Sequence, residues 1–101
     1  MTAQELLIKA RDIFAKHGGA KGTLQDKAGK VCLQGAINWA QTGHPRDWDW
    51  GSQMNDVYLI INDIILEFDE RYYGTAGSFN DSHTIDDVLA VFDKAIARTE
   101  A

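Results

Sequence analysis

The stretch Gly29–Ala40, GKVCLQGAINWA, constrains this chain more than any other. It reads as a turn running into a helix whose early positions, Cys32, Gly35 and Ala36, are all small. Small side chains leave a helix face flat enough for a second backbone to approach it closely. Gly35 gives up to about 1 kcal/mol against alanine inside a helix, so it predicts a neighbour that a side chain would exclude. The helix should continue through Ile37, Trp39 and Ala40 until Gly43 and Pro45 end it.

Helical spacing recurs on both sides of that stretch. Thr2-Ala-Gln-Glu5 is a capping box, and Leu6, Leu7, Ala10, Ile13 and Phe14 follow as one stripe. This predicts a first helix over Ala3–His17, with cations in its last turn and Gly18 in a left-handed C′ position. The glycine-bearing segment Gly19–Lys30 has no helical stripe. We expect a short β-hairpin there, Lys21–Leu24 against Lys30–Cys32 across a turn in Gln25–Gly29. After the loop QTGHPRDWDWG, Ser52 should cap a long helix over Gln53–Tyr72 with a broad apolar face. Asp56, Asp63, Glu67 and Glu70 line its other side as an acidic, solvent-facing stripe. Tyr72–Asp81 reads as a loop, and Thr84 caps a last helix over Ile85–Arg98. The expected fold is mainly α, formally α+β: about four helices around one core, with a hairpin between the first two.

A chain of 101 residues, 45% hydrophobic, has enough apolar mass for a single small domain spanning 1–101. No apolar run is long enough to span a bilayer, and the amphipathic Met1–Ala10 segment does not read as a signal peptide. One cysteine excludes an internal disulfide and a multi-cysteine zinc site. The expected compartment is the cytoplasm, with no metal and no cofactor. Charge is unevenly spread: residues 1–30 hold six Lys/Arg against three Asp/Glu, the remainder four against twelve. This balance disfavours direct nucleic-acid binding. It suits a solvated acidic face, a surface for basic partners, or an acidic inhibitor that mimics nucleic acid.

Chemistry-bearing residues are sparse. Cys32 at a helix N-terminus is the one candidate nucleophile, since the helix end favours a thiolate. A cysteine-dependent enzyme would also need a histidine in reach, and His83, beside Asn80 and Asp81, is the candidate. A buried, unreactive Cys32 is the expected outcome, because free cysteines behave as small hydrophobes. For Asn80 and Asp81 the expected role is structural, holding a turn against the Cys32 segment, because turn chemistry accounts for both without a substrate. In the His44–Gly51 loop, Trp48 and Trp50 alternate with Asp47 and Asp49. Tryptophans in loops either cap a core edge or anchor a partner. His44, Asp47 and Asp49 lack the fixed spacing of a metal site.

Taken together, Gly29–Ala36 (G-x-x-C-x-x-G-A), Phe79-Asn80-Asp81 and the Thr84-headed helix resemble a family of small actinobacterial and actinobacteriophage proteins without established function. Similar proteins carry Trp-Asn-Asp where this chain has Phe79-Asn80-Asp81. The resemblance makes Gly29, Cys32, Gly35, Ala36, Asn80, Asp81 and Thr84 a structural motif, and the His44–Gly51 loop has no counterpart in it. The expected function is a non-enzymatic protein-interaction module, phage-encoded and acting on a host protein, with Trp48, Trp50, Asp47 and Asp49 as its binding residues.

Overall fold

The computed structural model describes residues 1–100. Its elements are α1 (Ala3–His17), α2 (Leu33–Thr42), α3 (Ser52–Phe68), a single 3₁₀ turn (Glu70–Tyr72), α4 (Ala76–Ser82) and α5 (Ile85–Arg98). Helices α1, α3 and α5 pack on one another, α2 lies along α1, and the short α4 bridges α2 and α3. Leu6, Leu7, Phe14, Ile37, Ile61, Ile65, Phe79 and Phe92 form the centre of one continuous core. No helix among the described residues is long and apolar enough to cross a membrane.

Two helices begin as their local sequence dictates. Thr2 accepts from the Glu5 amide while Glu5 accepts from the Thr2 amide, each at 3.1 Å. Thr84 and Asp87 form the same reciprocal box at the head of α5. Helix α2 also ends as expected, with Gly43 left-handed at φ 88°.

The hairpin is not formed: among the described residues there is no strand, and the chain is all-helical in its regular structure. Val31 makes isolated bridges to two segments at once, Gly18 in parallel and Gln25 antiparallel. Two backbone bonds cross the segment, Cys32 N–H to the Leu24 carbonyl and Asp26 N–H to the Lys30 carbonyl, but side chains take other polar groups and no ladder grows. Asp26 accepts the amides of Ala28 and Lys30, each at 2.9 Å, and makes a side-chain-held turn in place of a strand end. The Gly22 amide goes to Asp81, and the Ala20 carbonyl to Asn80.

Other expectations need correction. Gly18 is extended (φ −71°), because the chain leaves α1 straight into its bridge with Val31. The left-handed residue is the next one, Gly19 at φ 131°. Ser52 does not cap α3; it is the first helical residue, and Gly51 stands at the N-cap without a side-chain bond. Helix α3 stops at Phe68, four residues short, where Asp69 turns to accept the Arg71 amide and pairs with the Arg71 guanidinium at 2.7 Å. The expected loop at Tyr72–Asp81 holds the 3₁₀ turn's end and nearly all of helix α4, so the described residues form five α-helices and not four. Phe79 and Asn80 are both buried by α4, and that burial outweighs the weak helix propensities of Gly77, Asn80 and Asp81.

Candidate functional site

Cys32 is the N-cap of α2, and its Sγ accepts from the Gly35 amide at 3.3 Å. The residue is only 6% exposed. Burial pushes the thiol above its usual range, which outweighs the helix-end amides that act in the opposite direction; the nearby Asp81 carboxylate raises it further. A thiol held protonated in this way is a packing group more than a nucleophile.

Asn80 joins the two chain segments that meet here. Its Oδ1 accepts from the Leu33 amide, the first N–H of α2, at 3.0 Å. Its Nδ2 donates to the Ala20 carbonyl at 3.0 Å and to Asp81 Oδ1 at 3.1 Å. Asp81 Oδ1 also accepts from the Gly22 amide at 2.9 Å. Lys21 closes the arrangement by donating its ammonium to the carbonyls of Asn80 and His83. A single polar cluster therefore fixes the loop after α1, the start of α2 and the end of α4 together.

His83 is not part of a pair with Cys32. Its Nδ1 faces the Phe79 carbonyl at 2.9 Å, and its ring stacks on Phe79 (centroids 3.9 Å apart) beside Tyr72. Both partners come from the same side of the chain as His83 itself, so packing sets its orientation. Cys32 and Asp81 share a cleft of about 360 Å³ with the 22–24 turn, Gln34, Gly77 and Ser78, and His83 is absent from its walls. The fold thus brings Cys32, Asn80 and Asp81 together and leaves the His83 ring apart from them. Lys21, Gln34 and Ser78 carried no sequence signal, since single polar residues in a turn or a short helix have no periodicity to reveal them.

The remaining motif residues sit in structural positions. Gly29 is left-handed at φ 85° in the Asp26 turn, while Gly35 and Ala36 are buried under the 24–31 segment and the core.

The second group is the loop between α2 and α3, held by three side chains of α2. Gln41 accepts from the Asp49 amide at 2.9 Å and donates to its carbonyl at 2.7 Å. Asn38, itself buried, donates to the Pro45 carbonyl at 3.0 Å. The Thr42 hydroxyl lies within 3.1 Å of the carbonyls of both His44 and Asp47. Further out, the Arg46 guanidinium reaches the Gln25 carbonyl at 2.9 Å. His44 Nδ1 accepts from the Arg46 amide, so that ring nitrogen is already engaged. On this fixed loop Trp48 is 48% and Trp50 58% exposed. Trp50 tilts against Tyr58 of α3 at 5.5 Å between centroids. Asp47 and Asp49 are exposed beside the indoles. Asn38, Gln41 and Thr42 were not legible as loop anchors, because each occupies an ordinary helical position in the sequence.

No curated protein and no solved structure is found to match the chain. Residues 1–98 match a family of unknown function, DUF6197, and the chain belongs to that family.

Proposed function

We propose that this domain is a non-enzymatic protein-interaction module that binds through the Trp48–Trp50 loop. In this reading it is encoded by an actinobacteriophage and acts in the cytoplasm on a protein of the host. The observation that carries the reading is two large exposed indoles on a loop already fixed by Asn38, Gln41 and Thr42. A loop ordered before it meets a partner avoids the entropic cost of ordering at the interface. Tryptophan is the residue type that most often dominates binding energy once buried by a partner. Asp47 and Asp49 add electrostatic steering toward a basic surface, which acts mainly on association rate.

The test is to make Trp48→Ala and Trp50→Ala and to follow stability and partner capture from an actinobacterial lysate together. Trp48 should be nearly neutral for stability, and Trp50 should cost about 1 kcal/mol through its lost contact with Tyr58. Each should lower partner affinity by about 2 kcal/mol or more if the indoles are anchors. Capture that falls only as far as the folded fraction falls would show that the indoles serve the fold alone.

A further inference from the structure

We propose that the cleft between the 22–24 turn, the start of α2 and helix α4 binds a primary alkylammonium group, with Asp81 as its anchor. This site is separate from the tryptophan loop and does not depend on the interaction reading. Its volume of about 360 Å³ suits a small ligand or one side chain.

The chemistry of the walls selects the charge. Helix N-termini attract anions when their amides are unspent, but three of the four opening amides of α2 are in use. Leu33 N–H goes to Asn80, Gly35 N–H to Cys32 Sγ and Ala36 N–H to the Cys32 carbonyl. The Lys21 ammonium is held at the carbonyls of Asn80 and His83. The donors left on the walls, the Gly77 and Ser78 amides and the Ser78 hydroxyl among them, carry no formal charge, and an anion reaching them would meet the Asp81 carboxylate.

A charged acceptor, in contrast, is available. Asp81 Oδ1 is engaged by Gly22 and Asn80, while Oδ2 makes no hydrogen bond. The carboxylate takes part in none of the ion pairs among the described residues, which are Arg11–Asp93, Arg71–Asp69 and Arg98–Glu67. The side chains of Ser78 and Gln34 line the same cleft and make no side-chain hydrogen bond among the described residues. An ammonium group has three donors and no acceptor, so it matches a carboxylate flanked by a hydroxyl and an amide oxygen. Leu24 and the protonated Cys32 thiol provide an apolar wall for the alkyl chain.

The experiment titrates the isotopically labelled full chain with n-butylamine hydrochloride at neutral pH and follows backbone amide shifts. Saturable shifts should cluster at residues 22–24, Gln34, Gly77 and Ser78; sodium butyrate should produce none there. Asp81→Asn keeps an oxygen for the Gly22 amide but removes the charge, and should weaken binding about tenfold or more. Gly77→Leu is a second, independent block: a Cβ at Gly77 meets nothing within 4 Å, so the fold has room for it while the cleft narrows. Two further arms distinguish the source of the group. Tighter binding of Nα-acetyl-lysine methylamide than of n-butylamine assigns the cleft to a partner's lysine, and tighter binding of putrescine assigns it to a free amine. The proposal is overturned by an equal response to butyrate, by shifts that follow Asp47 and Asp49 instead, or by binding that neither variant weakens.

Discussion

The carbonyl oxygen of Leu24 lies against the α-carbon of Gly35 so closely that no side chain fits between them. A Cβ at Gly35 would overlap that oxygen, and would stand 3.1 Å from the Leu24 carbonyl carbon and 3.3 Å from Val31 Cβ. The same carbonyl accepts from the Cys32 amide at 3.3 Å, so the loop cannot retreat without losing that bond. This is the neighbour that a glycine in a helix calls for.

Gly35→Ala should therefore destabilise the domain by about 1–3 kcal/mol through overpacking. Alanine's better helix propensity works in the opposite direction by up to about 1 kcal/mol. Urea unfolding of the two proteins decides the sign, and an unchanged or raised midpoint would mean the Leu24 segment yields freely.

Asn80→Ala should cost about 2–4 kcal/mol, since it strands the Leu33 amide and the Ala20 carbonyl in a buried setting. The effect should also be local. Hydrogen exchange at the Leu33 amide should quicken by more than the global stability change accounts for, and exchange that follows global stability alone would contradict the pairing.

The Cys32 thiol is raised by burial, and so is the Tyr58 hydroxyl, by burial first and by Cys32 second. A group whose ionisation is pushed up on folding contributes stability that is complete below its unfolded pKa. That contribution is lost as the pH climbs toward the folded value. Stability should thus fall on the alkaline side, through the thiol range and beyond, and Cys32→Ala should flatten the thiol part of that slope. Ellman's reagent should label the native protein slowly and the unfolded protein fast. Rapid native labelling with a depressed pKa would restore Cys32 as a nucleophile.

What the chain determines locally is set by interactions between near neighbours. The capping boxes at Thr2 and Thr84 and the apolar stripes of α1 and α5 need only residues three or four positions apart, so these helices were legible from end to end. The end of α2 at Gly43 follows for the same reason. Gly35 announced a close contact without naming Leu24, because a missing Cβ records that something approaches and not what does. Tertiary structure decided the rest. Gly19–Lys30 has the local pattern of a hairpin, but part of its hydrogen bonding goes to the side chains of Asp26, Asn80 and Asp81, two of them some 60 positions away. Phe79-Asn80-Asp81 looked like a turn, since its residues favour turns in isolation; burial of Phe79 and Asn80 against α2 and α3 made it helical. His83 stood beside Asp81 in sequence yet turned onto Phe79, because an aromatic face was available where it emerged. A local pattern specifies a helix when its own neighbours satisfy its backbone; where distant side chains satisfy it, only the assembled fold shows which conformation wins.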